Sequence, residues 1–103
     1  MDIVKIFKAL GNEHRLNILL WLKNIDENFE PQIHLSQMDD FKGGVCVGAI
    51  KKKAKLSQST ISKFLSILEE ADLVESKNIG QYTYFRRKEE TIKKISKWVK
   101  IEL

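Results

Sequence analysis

The apolar positions in the centre of the chain recur at helical spacing. They share the i, i+3, i+4, i+7 pattern that places side chains on one face of a helix: Ile61, Phe64, Leu65 and Leu68. Ser57 is suited to cap this helix, because its hydroxyl can accept a bond from a backbone N–H that a helix start leaves without a partner. We therefore predict a helix that begins at about Gln58. Its opposite face holds short polar groups and one cation: Ser59, Ser62, Lys63 and Ser66.

A second periodic segment comes directly before this helix. Val47, Ile50 and Ala54 lie at i, i+3 and i+7, which predicts a short helix that ends near Lys55. Two helices then meet across a tight turn. A short helix, a turn and a polar-faced second helix are typical of a helix-turn-helix, in which the second helix enters the major groove of DNA.

The pattern changes to that of strands after the polar-faced helix. Residues 73–78 and 82–88 suit two strands, and Gly80 between them supplies the positive φ that a hairpin connection favours. We interpret this hairpin as a wing beside the helix-turn-helix. Its cations are Lys77, Arg86, Arg87 and Lys88.

Both ends of the chain are predicted to be amphipathic helices. The first carries a stripe that stops at Gly11: Ile3, Ile6, Phe7 and Leu10. The last carries another, with Trp98 beside it: Ile92, Ile95, Val99 and Leu103. The helix at residues 13–23 is apolar nearly all round and is therefore expected at the buried centre. One small core cannot cover every stripe, so we predict a homodimer through Ile3, Ile6, Phe7, Ile92, Ile95, Trp98 and Val99. Packing of both terminal helices on their own domain is the alternative.

Length and composition restrict the class of protein. With 103 residues and one proline, we expect a single domain over residues 1–103, in which 24–44 form a long acidic loop before the helix-turn-helix. The longest apolar run is far shorter than a membrane span, and the amino-terminal residues do not follow a signal-peptide pattern. One cysteine, Cys46, fits a reducing compartment. We therefore expect a cytoplasmic protein.

Charge is distributed unevenly along the chain. Residues 41–68 contain six lysines and no acid, whereas residues 24–40 contain five acids and no lysine or arginine. The basic segment coincides with the predicted helix-turn-helix. Clustered cations over a reading element favour DNA as the partner, because each neutralised phosphate releases condensed counterions. A solvated lysine face is the plainer interpretation of the same run.

The sequence as a whole resembles the ArsR/SmtB family of bacterial winged-helix repressors. The resemblance is carried by ALGNEHRLNILLWL at residues 9–22, VCVGAI at 45–50 and LSQSTISKFLSILEEADLV at 56–74, followed by the basic hairpin and the last helix. It implies a mainly α winged helix-turn-helix of about five helices plus a two-stranded β-hairpin wing. It also implies a homodimer that occupies an operator and blocks transcription until an inducer releases it.

Metal sensing is not supported by the ligand types. Many relatives bind a thiophilic metal through Cys-x-Cys, and here Gly48 stands where the second thiolate would be. One cysteine cannot supply the three or four ligands that a soft metal requires. His34 could join Cys46 only in a favourable fold, with Asp39 or Asp40. We predict no metal and no cofactor, and for Cys46 either a small buried hydrophobe or a redox thiol.

The predicted function is a sequence-specific DNA-binding transcriptional regulator that recognises an inverted repeat. The predicted DNA contacts are Ser57, Gln58, Ser59, Thr60, Ser62, Lys63, Lys77, Gln81, Tyr84, Arg86 and Arg87, with core packing as the other role open to Tyr84. A winged-helix protein-interaction module with only non-specific DNA binding is the alternative. We do not expect an enzyme, because the sequence shows no nucleophile–base pair or phosphate-binding glycine loop.

Overall fold

The computed structural model describes residues 1–32 and 41–103. In these residues the chain forms six helices and three strands. The helices are α1 (Ile3–Leu10), α2 (Glu13–Lys23), α3 (Ile25–Asn28), α4 (Val47–Ala54), α5 (Gln58–Glu70) and α6 (Glu89–Glu102). The strands are β1 (Val45–Cys46), β2 (Val74–Ile79) and β3 (Tyr82–Arg87).

The helix starts follow the capping residues of the sequence. Asn12 accepts a bond from the Arg15 backbone N–H at 3.1 Å, and Gly11 ends α1 as predicted. The Arg15 side chain then donates to the Ala9 carbonyl at 2.7 Å. Because this bond attaches the end of α1 to the first turn of α2, the amino-terminal helix has a defined position on the domain.

The core lies where α2, α4 and α5 meet the sheet. Ile18, Ile50, Ile61 and Leu68 are each 0% exposed, and Leu65 is 1% exposed. The predicted apolar face of α5 is therefore confirmed. Full burial of such a side chain stabilises the fold by about 1.5–3 kcal/mol, so this face holds α5 against the domain and leaves its other face outside.

The wing belongs to a three-stranded antiparallel sheet with strand order β1-β3-β2. The hairpin was predicted, and Gly80 has the expected positive φ of 61°. The third strand was not, because β1 has only two residues and no alternation to read. Its residues Val45 and Cys46 pair with Phe85 and Tyr84 of β3.

Three other predictions need correction. Residues 24–44 are not a continuous loop, since α3 lies within them, and residues 33–40 lie outside the described part of the chain. The helix α2 is not buried all round, because Leu16 and Leu20 are 39% and 50% exposed. Ile6 is only 1% exposed and is therefore a core residue of its own domain rather than a dimer contact.

Candidate nucleic-acid interface

The turn between α4 and α5 sets the direction of the recognition helix, as α5 is called below. Lys55 has φ 57° and ψ 41°, the left-handed conformation that reverses the chain after α4. Its backbone N–H donates to the Lys51 carbonyl at 2.9 Å. Ser57 then caps the recognition helix by accepting from the Thr60 backbone N–H at 3.2 Å. The predicted helix-turn-helix is thus confirmed, including both ends of its turn.

The outer face of the recognition helix is polar and exposed. It consists of Ser57, Gln58, Ser59, Ser62, Lys63 and Ser66, with Thr60 half-buried beside them. The first acids on this helix are Glu69 and Glu70, at its far end. Several of these polar groups bond to each other, such as Gln58 Nε2 to Ser62 Oγ at 3.2 Å. Such exposed bonds contribute little, so the groups can exchange them for bonds to base edges or phosphates.

A cleft of about 410 Å³ separates the recognition helix from the wing. Its walls are Gln58, Ser62 and Ser66 on one side and Gln81, Tyr82 and Thr83 on the other. Cys46, Val47 and Gly48 close one end, and Leu65 and Phe85 also line it. The cleft brings the start of α4, the recognition helix and the hairpin tip together. Elements that far apart in sequence cannot be grouped by local pattern alone.

Three residues predicted to contact DNA from the wing instead contact the protein itself: Tyr84, Arg86 and Arg87. Tyr84 is 1% exposed and packs with Phe41, so it is a core residue and not a DNA contact. Burial raises the pKa of the Tyr84 phenol. The Arg87 side chain is only 8% exposed and pairs with Glu89 at 3.0 Å. It also donates to the Leu19 carbonyl at 3.4 Å, which attaches the end of β3 to α2.

Arg86 also contacts other residues of its own domain instead of pointing freely into solvent. Its guanidinium lies 4.0 Å from the centre of the Phe41 ring and pairs with Glu75 at 3.1 Å. Arg86 and Arg87 stand at the end of β3 farthest from the hairpin tip, next to α6. The predicted wing contacts that remain exposed are Lys77 and Gln81, and Tyr82, which was not predicted, is exposed beside them.

The predicted lysine surface lies on α4 and the turn that follows it. Lys51, Lys52 and Lys55 are exposed, whereas Lys53 packs over the Trp21 ring at 5.2 Å. The Lys53 ammonium itself lies over the ring face, which is an ordinary cation–π arrangement. The remaining three surround the turn that leads into the recognition helix, where they can meet phosphates.

Cys46 is neither fully buried nor fully exposed. It is a free, half-buried cysteine that borders the cleft, and its backbone N–H donates to Gln32 Oε1 at 3.0 Å. No cluster of three or more histidine, cysteine or acidic side chains able to hold a metal occurs among residues 1–32 and 41–103. The candidate partners His34, Asp39 and Asp40 lie outside the described residues.

The terminal helices leave part of their apolar surface uncovered. Ile92 and Ile95 pack against the domain's own core, as the alternative prediction required, and Ile3 is half-buried. Phe7 of α1 contacts Trp98 of α6, with ring centres 5.9 Å apart, so the two terminal helices meet at this pair. The large apolar residues that are exposed in the first ten and last five residues of the chain are Met1, Val4, Phe7, Val99, Ile101 and Leu103. Within the described chain, no helix is long and apolar enough to cross a membrane.

Comparison with known proteins identifies the class of this fold. Residues 34–76 match the model of the bacterial regulatory proteins of the arsR family. The chain is also 45% identical over all 103 residues to the uncharacterized HTH-type transcriptional regulator YbzH of Bacillus subtilis strain 168, and covers all of it. This chain belongs to the ArsR family. Another relative of the ArsR-family chain is the HTH-type regulator MJ1325 of Methanocaldococcus jannaschii, 33% identical over 92% of this chain and 88% of that one.

Solved structures agree with this assignment to the ArsR family. HlyU of Vibrio vulnificus CMCP6, a transcriptional regulator, is 30% identical with a TM-score of 0.64, over 95% of this chain and 83% of that one. The winged helix-turn-helix DNA-binding domain of Mb0332 from Mycobacterium bovis is 25% identical with a TM-score of 0.65. It covers 96% of this chain and 75% of that one, and it is described as homodimeric. The ArsR-family chain is thus a transcriptional regulator with a DNA-binding winged helix, and not an enzyme.

Sequence reasoning missed some residues of this ArsR-family surface. Ser66 and Thr83 line the cleft, and Val4 and Ile101 extend the apolar surface at the chain ends. Ser66 was visible on the polar face of the recognition helix, so its spacing could have identified it. Thr83 could not be found in this way, because only the register of β3 decides which of its side chains border the cleft.

Proposed function

We propose that this ArsR-family regulator is a homodimeric repressor that occupies an inverted-repeat operator. The main support is the recognition helix, which is held by a fully buried face while its acid-free opposite face stands beside the wing. Polyanionic DNA tolerates serine, glutamine and lysine at close range and repels carboxylates. Repression follows if the dimer covers DNA that the polymerase needs.

In this proposal the recognition helix reads bases in the major groove. Gln58 is placed in the first turn and can form two bonds to adenine, while Ser59, Ser62 and Lys63 meet bases or adjacent phosphates. Ser57 and Thr60, whose hydroxyls bond to each other at the helix start, lie closest to the sugar-phosphate backbone of the DNA. Lys77 and Gln81 of the wing contact the sugar-phosphate backbone or the minor groove.

The dimer forms through the exposed apolar surface of α1 and α6. Phe7, Trp98 and Val99 remain from the predicted interface, and Ile3 lies at its edge. A twofold axis through these helices places the two recognition helices in successive major grooves, about 34–36 Å apart. The expected operator is therefore an imperfect inverted repeat.

Release from DNA is proposed to follow a signal that acts near the cleft. Cys46 is the candidate for a redox signal, because it borders the same cleft as Gln58 and Ser62. A peroxide would convert its thiol to a sulfenic acid and leave water, which adds a polar oxygen beside the recognition helix. Replacing Cys46 by serine should then abolish release by peroxide. Equal release in wild type and variant would remove Cys46 from the mechanism.

The experiment that tests the function is selection of bound duplexes from random DNA, followed by footprinting upstream of the protein's own gene. The expected result is an inverted repeat whose binding falls steeply with salt, by about a thousandfold between about 50 and 200 mM if about six phosphates are contacted. Combined Ser62→Ala and Lys63→Ala should weaken affinity and sequence preference. Weak, sequence-indifferent binding would instead favour a protein-interaction module.

A further inference from the structure

The turn that follows the recognition helix carries a polar cluster outside the DNA-facing surface. Asp72 has a positive φ of 64°, and its backbone N–H donates to the Glu69 carbonyl at 2.9 Å. Leu73 N–H donates to the Leu68 carbonyl at 3.0 Å. These two bonds close the end of the helix and turn the chain into the wing. Asp72 is therefore the junction between the recognition helix and β2.

The carboxylate of Asp72 reaches the beginning of α6. Its Oδ1 accepts from Lys88 Nζ at 2.5 Å, and its Oδ2 accepts from Thr91 Oγ1 at 3.0 Å. Lys88 is the N-cap residue of α6 and makes no side-chain cap bond, and Thr91 is 4% exposed. A carboxylate beside a helix N-terminus also meets the positive end of the helix dipole. The bond to Lys88 lowers the pKa of Asp72. We call Asp72, Lys88 and Thr91 the Asp72 clamp.

A second polar bond attaches the same end of the recognition helix to the wing. Ser76 Oγ on β2 donates to Glu69 Oε2 at 2.6 Å. The last turn of the recognition helix is thus bonded to β2 through Glu69, and the turn that follows it is bonded to α6 through Asp72. Apolar contacts such as those of Ile92 and Ile95 pack α6 against the core, and the hydrogen bonds add directional restraints at the positions that they join.

We propose that Asp72 is a positioning residue that sets the angle between the recognition helix and α6. This inference rests on the proposed function, in which α6 joins the two subunits. In the proposed dimer, α6 lies at the twofold axis, and the clamp connects α6 to the recognition helix of the same subunit. The clamp therefore determines the distance between the two recognition helices of the dimer. It therefore determines which spacing between operator half-sites the dimer accepts, without any contact to DNA.

The test uses three variants that change the net charge by the same single unit. Asp72→Gly removes the carboxylate, and glycine keeps the left-handed turn without strain. Asp72→Asn also tolerates this turn and retains an acceptor for Thr91 while it loses the charge that pairs with Lys88. Glu70→Gln is the matched control, because Glu70 is an exposed acid two residues away that is not part of the clamp.

The probes are the inverted repeat recovered by selection, the same repeat with one base pair inserted between its half-sites, and a single half-site. Wild type and Glu70→Gln should prefer the selected spacing. Asp72→Gly should dimerise, remain folded at the assay temperature and bind the single half-site as wild type does, yet lose about tenfold of its preference between the two spacings. The spacing preference of Asp72→Asn should lie between those of wild type and Asp72→Gly.

The outcomes separate this inference from the function on which it rests. A wild type without any spacing preference overturns the proposed function and the clamp together. A wild type with a preference that Asp72→Gly retains in full overturns the clamp alone. Should Asp72→Gly fail to fold, Thr91→Val removes the hydroxyl at nearly constant volume, and Thr91→Ser restores it. Equal spacing preference in these two variants would also overturn the clamp.

Discussion

The proposed dimer surface offers the sharpest test of how this regulator works. Val99 lies on α6 near the Phe7–Trp98 pair and is 39% exposed in the single subunit. Replacing it by glutamate should leave the subunit folded, because the new carboxylate can remain in water while the subunit is alone. In the proposed dimer the same carboxylate would lie in the interface, and the twofold axis would place it there twice.

The expected effect can be worked from the exposure of Val99. Complete burial of a valine contributes about 1.5 kcal/mol, and the exposed two-fifths therefore contribute about 0.6 kcal/mol in each subunit. Desolvation of an unpaired carboxylate costs several kcal/mol per ion when burial is complete, and we take about 2 kcal/mol for each partly covered one. Over two subunits these terms destabilise the dimer by about 5 kcal/mol, which raises its dissociation constant by about five-thousandfold.

Sedimentation equilibrium over a series of protein concentrations measures this change directly. Lys93→Gln is the control, because Lys93 is exposed on another side of α6 and its loss changes the net charge by the same single unit. Val99→Glu should be monomeric, folded by circular dichroism and unable to bind the inverted repeat tightly. A Val99→Glu protein that dimerises with the wild-type constant would refute the assignment of this surface.

Three further predictions concern the recognition helix and its surroundings. Ser57→Ala should lower the free energy of unfolding in urea by about 1 kcal/mol through loss of the N-cap, and Ser66→Ala on the same helix should not. Lys63→Ala should reduce the slope of log affinity against log salt by about 2 for a dimer, since two phosphate contacts are lost, whereas Lys93→Ala should leave the slope unchanged. The pKa of Asp72 is lowered in the folded protein, so its stabilising contribution is present above the ordinary value and is lost as pH falls through the lowered one. Asp72→Asn should therefore be less stable than wild type near neutral pH, and acid titration of unfolding should show this difference disappear; a difference that persists at low pH would contradict the assignment.

Local signals in the sequence were sufficient for the helix-turn-helix. Ser57 and Asn12 cap their helices, Gly80 turns the hairpin, and the apolar spacing of Ile61 and Leu65 oriented the recognition helix correctly. Each of these features depends on bonds or side-chain directions within a few residues. A reader of the sequence therefore sees both partners of every such interaction at once.

Long-range contacts decided the roles of the remaining residues. Arg86, Arg87 and Tyr84 look like wing contacts in the sequence, yet Phe41, Leu19 and the two-residue strand β1 engage them at the base of the hairpin. The partners of these side chains are up to 68 residues away in the sequence, so the periodic spacing of apolar residues cannot reveal them.

The sequence by itself determined the five longer helices, the starts of α2 and the recognition helix, and which face of the recognition helix is acid-free, but it did not reveal the short helix α3. Only the tertiary structure decided which cations and apolar side chains remain exposed for DNA or for a second subunit. The physical reason is that a helix depends on bonds between near neighbours, whereas exposure depends on what packs above each side chain. Ile6 and Phe7 illustrate this, since adjacent residues on the same helix are 1% and 41% exposed.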